Sequence, residues 1–536
     1  MRNHFYNTGK LTKFIGKREF VITLIWFVIT IGMTLGVSVA FDNLFETEEA
    51  RVAMAETMRN PAMTVMVGPG YGIDNYHTGA MMSHEMLLFT GIAIAIMNIF
   101  LVARHTRKDE EEGRLEVIRS LPVGRLSSLS ATMIVCVIVN TLLTIILGLG
   151  MFVLGIASMD LAGCMLYAIA LGLIGIVFGA ITAIFVQLSS SSKGAIGYSF
   201  MFLGVAYIIR GMGDVGNELL SLISPLGLPL RISPFVDNNL WPILVMKIIA
   251  FIAILIAFHF NSKRDLGAGL IPAKKGKAYA SSSLLSPFGF ARKLLRTSTI
   301  WWVIALFTLG ATYGSVFGDI DTFLSSNDVF QQMFTNPAIG APYTLAESFM
   351  ATIIVIMAIM AAIPVIIAVL RIRKEETSGR LEHILSRNVS RTKMFGCFLM
   401  IAIITSFVVL AAAGVGLWVA AAAVMDEPIS FTTVMASSLA HLPAIWVMIG
   451  LAMVLIAYLP RYTSIIWGYV GFSFVAVYLG ELLKFPEFII RLSPFGNVPK
   501  IPVTEFNMLT AILLVVISII LFIIGFIGYK RRDIAN

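Results

Sequence analysis

The chain has 536 residues, of which 58% are hydrophobic and 13% charged, with a mean hydropathy of +0.88. Soluble domains carry about a quarter charged residues, so a string of water-soluble domains is excluded and the fold class is an all-α polytopic membrane protein. The net charge of +8, from 39 basic and 31 acidic residues, is spread over many short loops, which fits positive-inside bias and excludes a nucleic-acid footprint.

A bilayer core takes about 20 apolar residues per helix. The hydropathy pattern predicts twelve spans, at 20–41, 86–103, 129–157, 162–187, 194–209, 240–260, 299–318, 349–370, 394–425, 432–459, 464–480 and 507–529. The basic leader and Ser38-Val39-Ala40 imitate a signal peptide, but the first apolar run is longer than the roughly 7–15 residues of a signal core. It is read as a retained helix. Residues 5–18 and 288–297 mix Phe, Leu and Ile with Lys and Arg, a pattern that predicts amphipathic helices lying on the inner membrane surface.

Placing the N-terminus inside puts 31 of the 39 basic residues in inner segments. Outside lie Arg51, Arg59, Arg210, Arg231, Lys484, Arg491 and Lys500. That imbalance sets the orientation: a multi-pass plasma-membrane protein with both termini cytoplasmic. Lys247 is the one clear intramembrane charge and is close enough to its span end to snorkel. Glu85 and Glu347 sit at span mouths, Asp160 in a tight outer turn. The outer loop 42–85, with seven acidic and two basic residues, is read as ordinary loop charge. Ser224-Pro225 and Ser493-Pro494 predict short re-entrant helices on the outer side.

Chemistry inside the chain is sparse. Cys136, Cys164 and Cys397 lie in apolar runs and read as core residues. His77 and His84 have no third ligand to define a metal geometry. No GxxxxGK[ST], HExxH, CxxC or GxSxG motif occurs, so neither a phosphate-loop ATP site nor an enzyme is expected.

Two halves repeat. Arg107-Lys108-Asp109-Glu110-Glu111-Glu112-Gly113-Arg114-Leu115-Glu116 matches Arg373-Lys374-Glu375-Glu376-Thr377-Ser378-Gly379-Arg380-Leu381-Glu382. Ser224-Pro225-Leu226-Gly227 matches Ser493-Pro494-Phe495-Gly496, and Lys263-Arg264-Asp265-Leu266 matches Arg531-Arg532-Asp533-Ile534. Three matches in one order predict a first six-span unit at 1–266, a Gly/Ser/Lys-rich cytoplasmic linker at 267–284 and a second six-span unit at 285–536. An even span number makes the repeats parallel. Leu381, Ile384 and Leu385 share one face of a short helix after the eighth span, and Leu115, Ile118 and the Leu121 end do so after the second.

The Glu-Glu-x-x-Gly-Arg-Leu-Glu loop of each unit resembles that of ABC exporter permease subunits. The fused length, Arg264-Asp265-Leu266-Gly267-Ala268-Gly269-Leu270 and Ser224-Pro225-Leu226-Gly227 resemble the polyketide-antibiotic exporters of Gram-positive bacteria. The resemblance implies a separate cytoplasmic ABC ATPase in two copies, holding ATP and magnesium, with no cofactor on this chain. It implies membrane lipid and a small amphipathic substrate as further partners. Glu110, Glu112, Gly113, Arg114, Glu116, Glu376, Gly379, Arg380 and Glu382 would then form the ATPase-coupling loops, with Glu110, Glu112, Arg114, Glu376 and Arg380 making charged contacts to the ATPase. Thr377-Ser378 replace Glu111-Glu112 in the second loop, so the two docking sites are expected to be unequal. A proton-coupled twelve-span transporter would share the topology but needs a titratable carboxylate within the membrane. A membrane-embedded transferase needs a polar catalytic cluster at one membrane face.

Overall fold

The computed structural model describes residues 4–59, 61–272, 278–319, 345–387, 389–425, 428–478, 480, 485–504 and 507–532. Every regular element among them is helical. This is what a bilayer demands, because a helix satisfies its own backbone hydrogen bonds where no water can. Eleven described helices are long and apolar enough to cross a membrane. The predicted span 464–480 is the exception. Its helix, Ile465–Tyr478, has 14 residues and reaches about 21 Å at 1.5 Å per residue, short of the roughly 30 Å hydrocarbon core. The chain is a multi-pass membrane protein that divides into two compact units, Met1–Gly276 and Lys277–Asn536.

In the first unit, Leu161–Leu188 is buried along most of its length. Against it packs Ser127–Val153, whose Asn140 exchanges hydrogen bonds of 2.7 and 3.1 Å with Asn98 of the helix Leu87–Ala103. Cys136 donates to Asn98 from 3.2 Å, and both it and Cys164 are buried, as a core reading requires. The helix Thr8–Leu44 buries a narrow stripe that includes Thr30, Thr34 and Ser38. Small residues at four-residue spacing let helices approach closely in lipid.

Two surface helices expected from sequence do not exist as separate elements. Residues 8–18 are the first turns of Thr8–Leu44, and 288–297 belong to Pro287–Gly314. Leu11, Ile15, Ala291 and Leu295 are buried. Phe5 and Phe14 stay exposed, so these apolar faces pack on protein only in part, and no internal proline breaks either helix.

The membrane charges also need correcting. Lys247 lies on an exposed face of Trp241–Lys263. Arg210, assigned to an outer loop, instead lies inside the helix Ser192–Val215 and is fully buried. It pairs with Asp214 one turn on, at 3.1 Å, and donates to the Val65 carbonyl at 2.6 Å. Asp214 also accepts from Ser221 at 2.6 Å. Glu19 and Glu85 are buried as well. Close by, Ser224 Oγ donates to the Ala206 carbonyl and accepts from the Leu226 amide. It thereby joins the short helices Glu218–Ile223 and Gly227–Leu230 to the preceding span. In the second unit Ser493 Oγ accepts from Phe495 N between Glu487–Arg491 and Pro494–Asn497.

Candidate functional site

Each unit carries one short charged loop helix, Arg114–Arg119 in the first and Arg380–Leu385 in the second. Each follows a long helix, Thr78–Glu111 or Leu345–Thr377. The break falls on Gly113 and Gly379, whose φ values are +72° and +69°. Side-chain residues avoid this left-handed region, so glycine is the natural residue there. Leu115 and Leu381 plug the loop helices into the bundle.

The two adjacent carboxylates before each glycine do different jobs. In the first loop Asp109 receives Arg18 through two bonds of 2.8 and 3.0 Å and Arg114 at 2.7 Å. Glu110 receives Arg264 through two bonds of 2.8 and 2.7 Å, Arg107 at 3.0 Å and the Gly267 amide at 2.7 Å. In the second loop Glu375 holds Arg380 and Arg371, each at 2.7 Å. Glu376 holds Arg532 and the Tyr529 hydroxyl, each at 2.6 Å, and Arg373 at 3.2 Å. So the first carboxylate fastens the loop helix to its parent, and the second fastens the end of that parent, where the loop begins, to the end of the last helix of the unit.

This geometry revises the expected role of two residues. Glu110 is 8% exposed and Glu376 4%; their oxygens already bind internal donors. They act as braces within the chain. Glu112, Arg114, Glu116, Arg380 and Glu382 are exposed. Arg114 also pairs with Glu112. Glu111, another exposed carboxylate, accepts from Ser192 N and Oγ at 3.0 and 2.6 Å and so caps the helix Ser192–Val215. Outside the spans, the hydrogen bond to Glu375 holds the Arg380 guanidinium above its ordinary pKa, while burial lowers that of Arg119.

Sequence reasoning passed over Asp109, Glu375, Arg264 and Arg532 as members of these sites. The signal was present: all four fall in the two repeated motifs. What was missing was the pairing, since Glu110 and Arg264 are 154 residues apart in the chain.

His77 and His84 are used locally. His77 Nδ1 caps the Ala80 amide, and His84 bonds Tyr76 Oη and the Gly68 carbonyl. Among the described residues no three His, Cys, Asp or Glu side chains converge as metal ligands. A cavity of about 280 Å³, lined by Tyr71, Trp241, Glu218, Arg231 and Asp237 among others, opens near the start of Trp241–Lys263.

A bundle of apolar membrane helices in which each unit presents one braced, charged loop helix is the architecture of a multi-pass membrane protein. The family model described as the C-terminal domain of the multidrug efflux system permease Rv1217c matches residues 56–260 and 284–530. The multidrug efflux system permease protein Rv1217c of Mycobacterium tuberculosis (strain ATCC 25618 / H37Rv) is 31% identical over 535 residues, covering 99% of this chain and 96% of that protein. The chain belongs to this family of efflux permeases.

Proposed function

We propose that the chain is the permease subunit of an ATP-driven exporter that moves hydrophobic or amphipathic drug-like compounds, polyketide antibiotics among them, out of the cell. Both termini are cytoplasmic in this reading, and the chain comprises two parallel six-span repeats with Ile465–Tyr478 as a short eleventh crossing. The loops at 107–125 and 373–391 dock on two copies of a separate cytosolic ATPase, which binds ATP and magnesium. ATP closes the ATPase pair, the loop helices move with it, and each six-span unit shifts between inward-open and outward-open states.

One observation carries the reading: both units hold an exposed loop helix rigidly on a glycine hinge and two buried carboxylates. A rigid lever has use only where something pushes on it. Membership of the efflux-permease family supports the direction of transport.

The test is a pull-down of the tagged chain from gently solubilised membranes, with ATP hydrolysis measured on the eluate. A co-purifying ATPase is expected, and its recovery should fall when exposed loop residues such as Glu116 and Glu382 are replaced by lysine. An eluate without ATPase would sink the proposal. A proton-coupled alternative would need a buried carboxylate such as Glu85, which is bonded to Tyr76 at 3.0 Å; under the ATP-driven reading Glu85→Gln leaves export independent of the proton gradient.

A further inference from the structure

Each loop is fastened to its unit at both of its ends, and in each unit one tie from the start of the loop and one from its end meet on a single arginine; the end of the first loop also bonds the N-terminal segment, at the carbonyls of His4 and Tyr6. In the first unit the side chain of Arg264 grips Glu110, where the loop begins. The backbone carbonyl of the same Arg264 accepts from Arg125 at 2.9 Å, where the loop ends. In the second unit the side chain of Arg532 grips Glu376, and its carbonyl accepts from Arg391 at 3.2 Å. Both arginines stand just past the last residue of the last helix of their unit, Trp241–Lys263 and Met508–Arg531.

The surroundings of the two arginines differ. Arg264 Nε donates to Gln187 at 2.5 Å, and Arg264 and Arg107 share the Ala268 carbonyl at 2.9 and 3.2 Å. Gly267, at φ +76°, turns its amide onto Glu110. Residues 270 and 271 then bond the carbonyls of Gln187 and Leu188. A side chain at Gly269 would strike the Leu188 carbonyl. In the second unit Arg532 reaches the Ile456 carbonyl at 2.6 Å, and Tyr529 stacks on Phe395 with ring centroids 4.3 Å apart. The supporting groups vary between units while the arginine hub recurs. A buried ion pair adds little net stability over apolar packing, and its best-attested use is to fix register.

We propose that Arg264 and Arg532 are positioning residues that make each loop and the last helix of its unit one mechanical body, so that a displacement of the loop is delivered to that helix. This rests on the reading of the loops as ATPase-coupling elements. It adds the receiving element inside the membrane, which is the last helix of each unit in addition to the helix that leads into the loop.

The experiment uses the full chain, purified with whatever ATPase accompanies it. The triple variants Glu110→Gln/Arg264→Gln/Arg107→Gln and Glu376→Gln/Arg532→Gln/Arg373→Gln remove every charge that meets on each glutamate, so no arginine of the cluster is left without its carboxylate, and thermal melting of each confirms that it folds. Hydrogen exchange is read at 107–125 and 261–272 for the first variant and at 373–387 and 525–532 for the second. Ethidium export from cells is measured alongside ATP hydrolysis. The expected result is an exchange rise of about tenfold in both segments, with export reduced about tenfold while ATP hydrolysis continues, within the usual span of coupling between sites. Arg125→Gln and Arg391→Gln should shift exchange in the same direction by less. Unchanged exchange, or export within about twofold of wild type at equal membrane levels, overturns the proposal. A wild-type chain without any ATPase defeats the coupling reading instead. In that case, or where wild type does not carry ethidium, exchange alone decides: paired acceleration supports the tie, and acceleration confined to the loop overturns it.

Discussion

The first loop is the more heavily anchored of the two. Asp109 ties it to the helix Thr8–Leu44 through Arg18, and Glu19 of that helix binds Arg104 and His105 at 2.9 and 2.7 Å. A π-helical turn at Arg104–Lys108 redirects these side chains before the loop begins. The second loop keeps the brace in shorter form: Glu375 binds Arg371 and Arg380, which lie within the loop and its parent helix. The tips differ more. The first presents Val117 and Leu121, 69% and 60% exposed. At the matching places the second presents His383 and Arg387, also exposed. Internal bracing recurs while the outward face diverges, so the buried ion pairs and the exposed tips of the two loops are set by separate residues.

The largest expected effect tests the brace. Glu110→Ala strands Arg264 and Arg107, which are almost wholly buried, and breaking such a pair from one side costs about 3–5 kcal/mol. Glu376→Ala strands Arg532 and Arg373, which see more solvent, and should cost less. Thermal melting of the purified chain ranks them; a larger drop for Glu376→Ala would break the ordering.

The next effect separates the tips. Val117→Ser with Leu121→Ser should leave the melting temperature in place, because these side chains are exposed. It should weaken ATPase recovery by about 1–2 kcal/mol, the scale of an apolar contact at an interface centre. His383→Ser should act less. Equal losses from both tips would remove the asymmetry.

Smaller still, Gly113→Ala and Gly379→Ala should each cost about 1 kcal/mol of stability through left-handed strain alone. Nothing lies near either Cβ position, so the two values should agree, and a marked difference in melting would show that the loops turn differently. Smallest is Glu112→Gln. It loses an exposed pair with Arg114, worth under about 0.5 kcal/mol, and its melting curve should overlay that of wild type.

The residues themselves made much of this legible. Apolar run length located eleven of the described helices, and repeated motifs located both loops and their glycines. Span limits were less secure at charged ends. Arg210 looked like loop because it carries a charge, yet Asp214 lies one helical turn away and neutralises it. That i, i+4 spacing was readable in advance. The surface-helix expectation for 5–18 failed for a similar reason, since Arg18 is partnered within the protein.

Composition and periodicity determined that this chain is helical, membrane-embedded and built around two charged loops, because burial in lipid constrains every residue along a span in the same way. The division of labour between Asp109 and Glu110, or between Glu375 and Glu376, was decided only by tertiary structure. Neighbouring residues on a helix point about 100° apart, so each adjacent carboxylate meets whatever packs on its own side. Where the last helix of each unit ends, and therefore which arginine arrives, depends on packing between segments far apart in the chain.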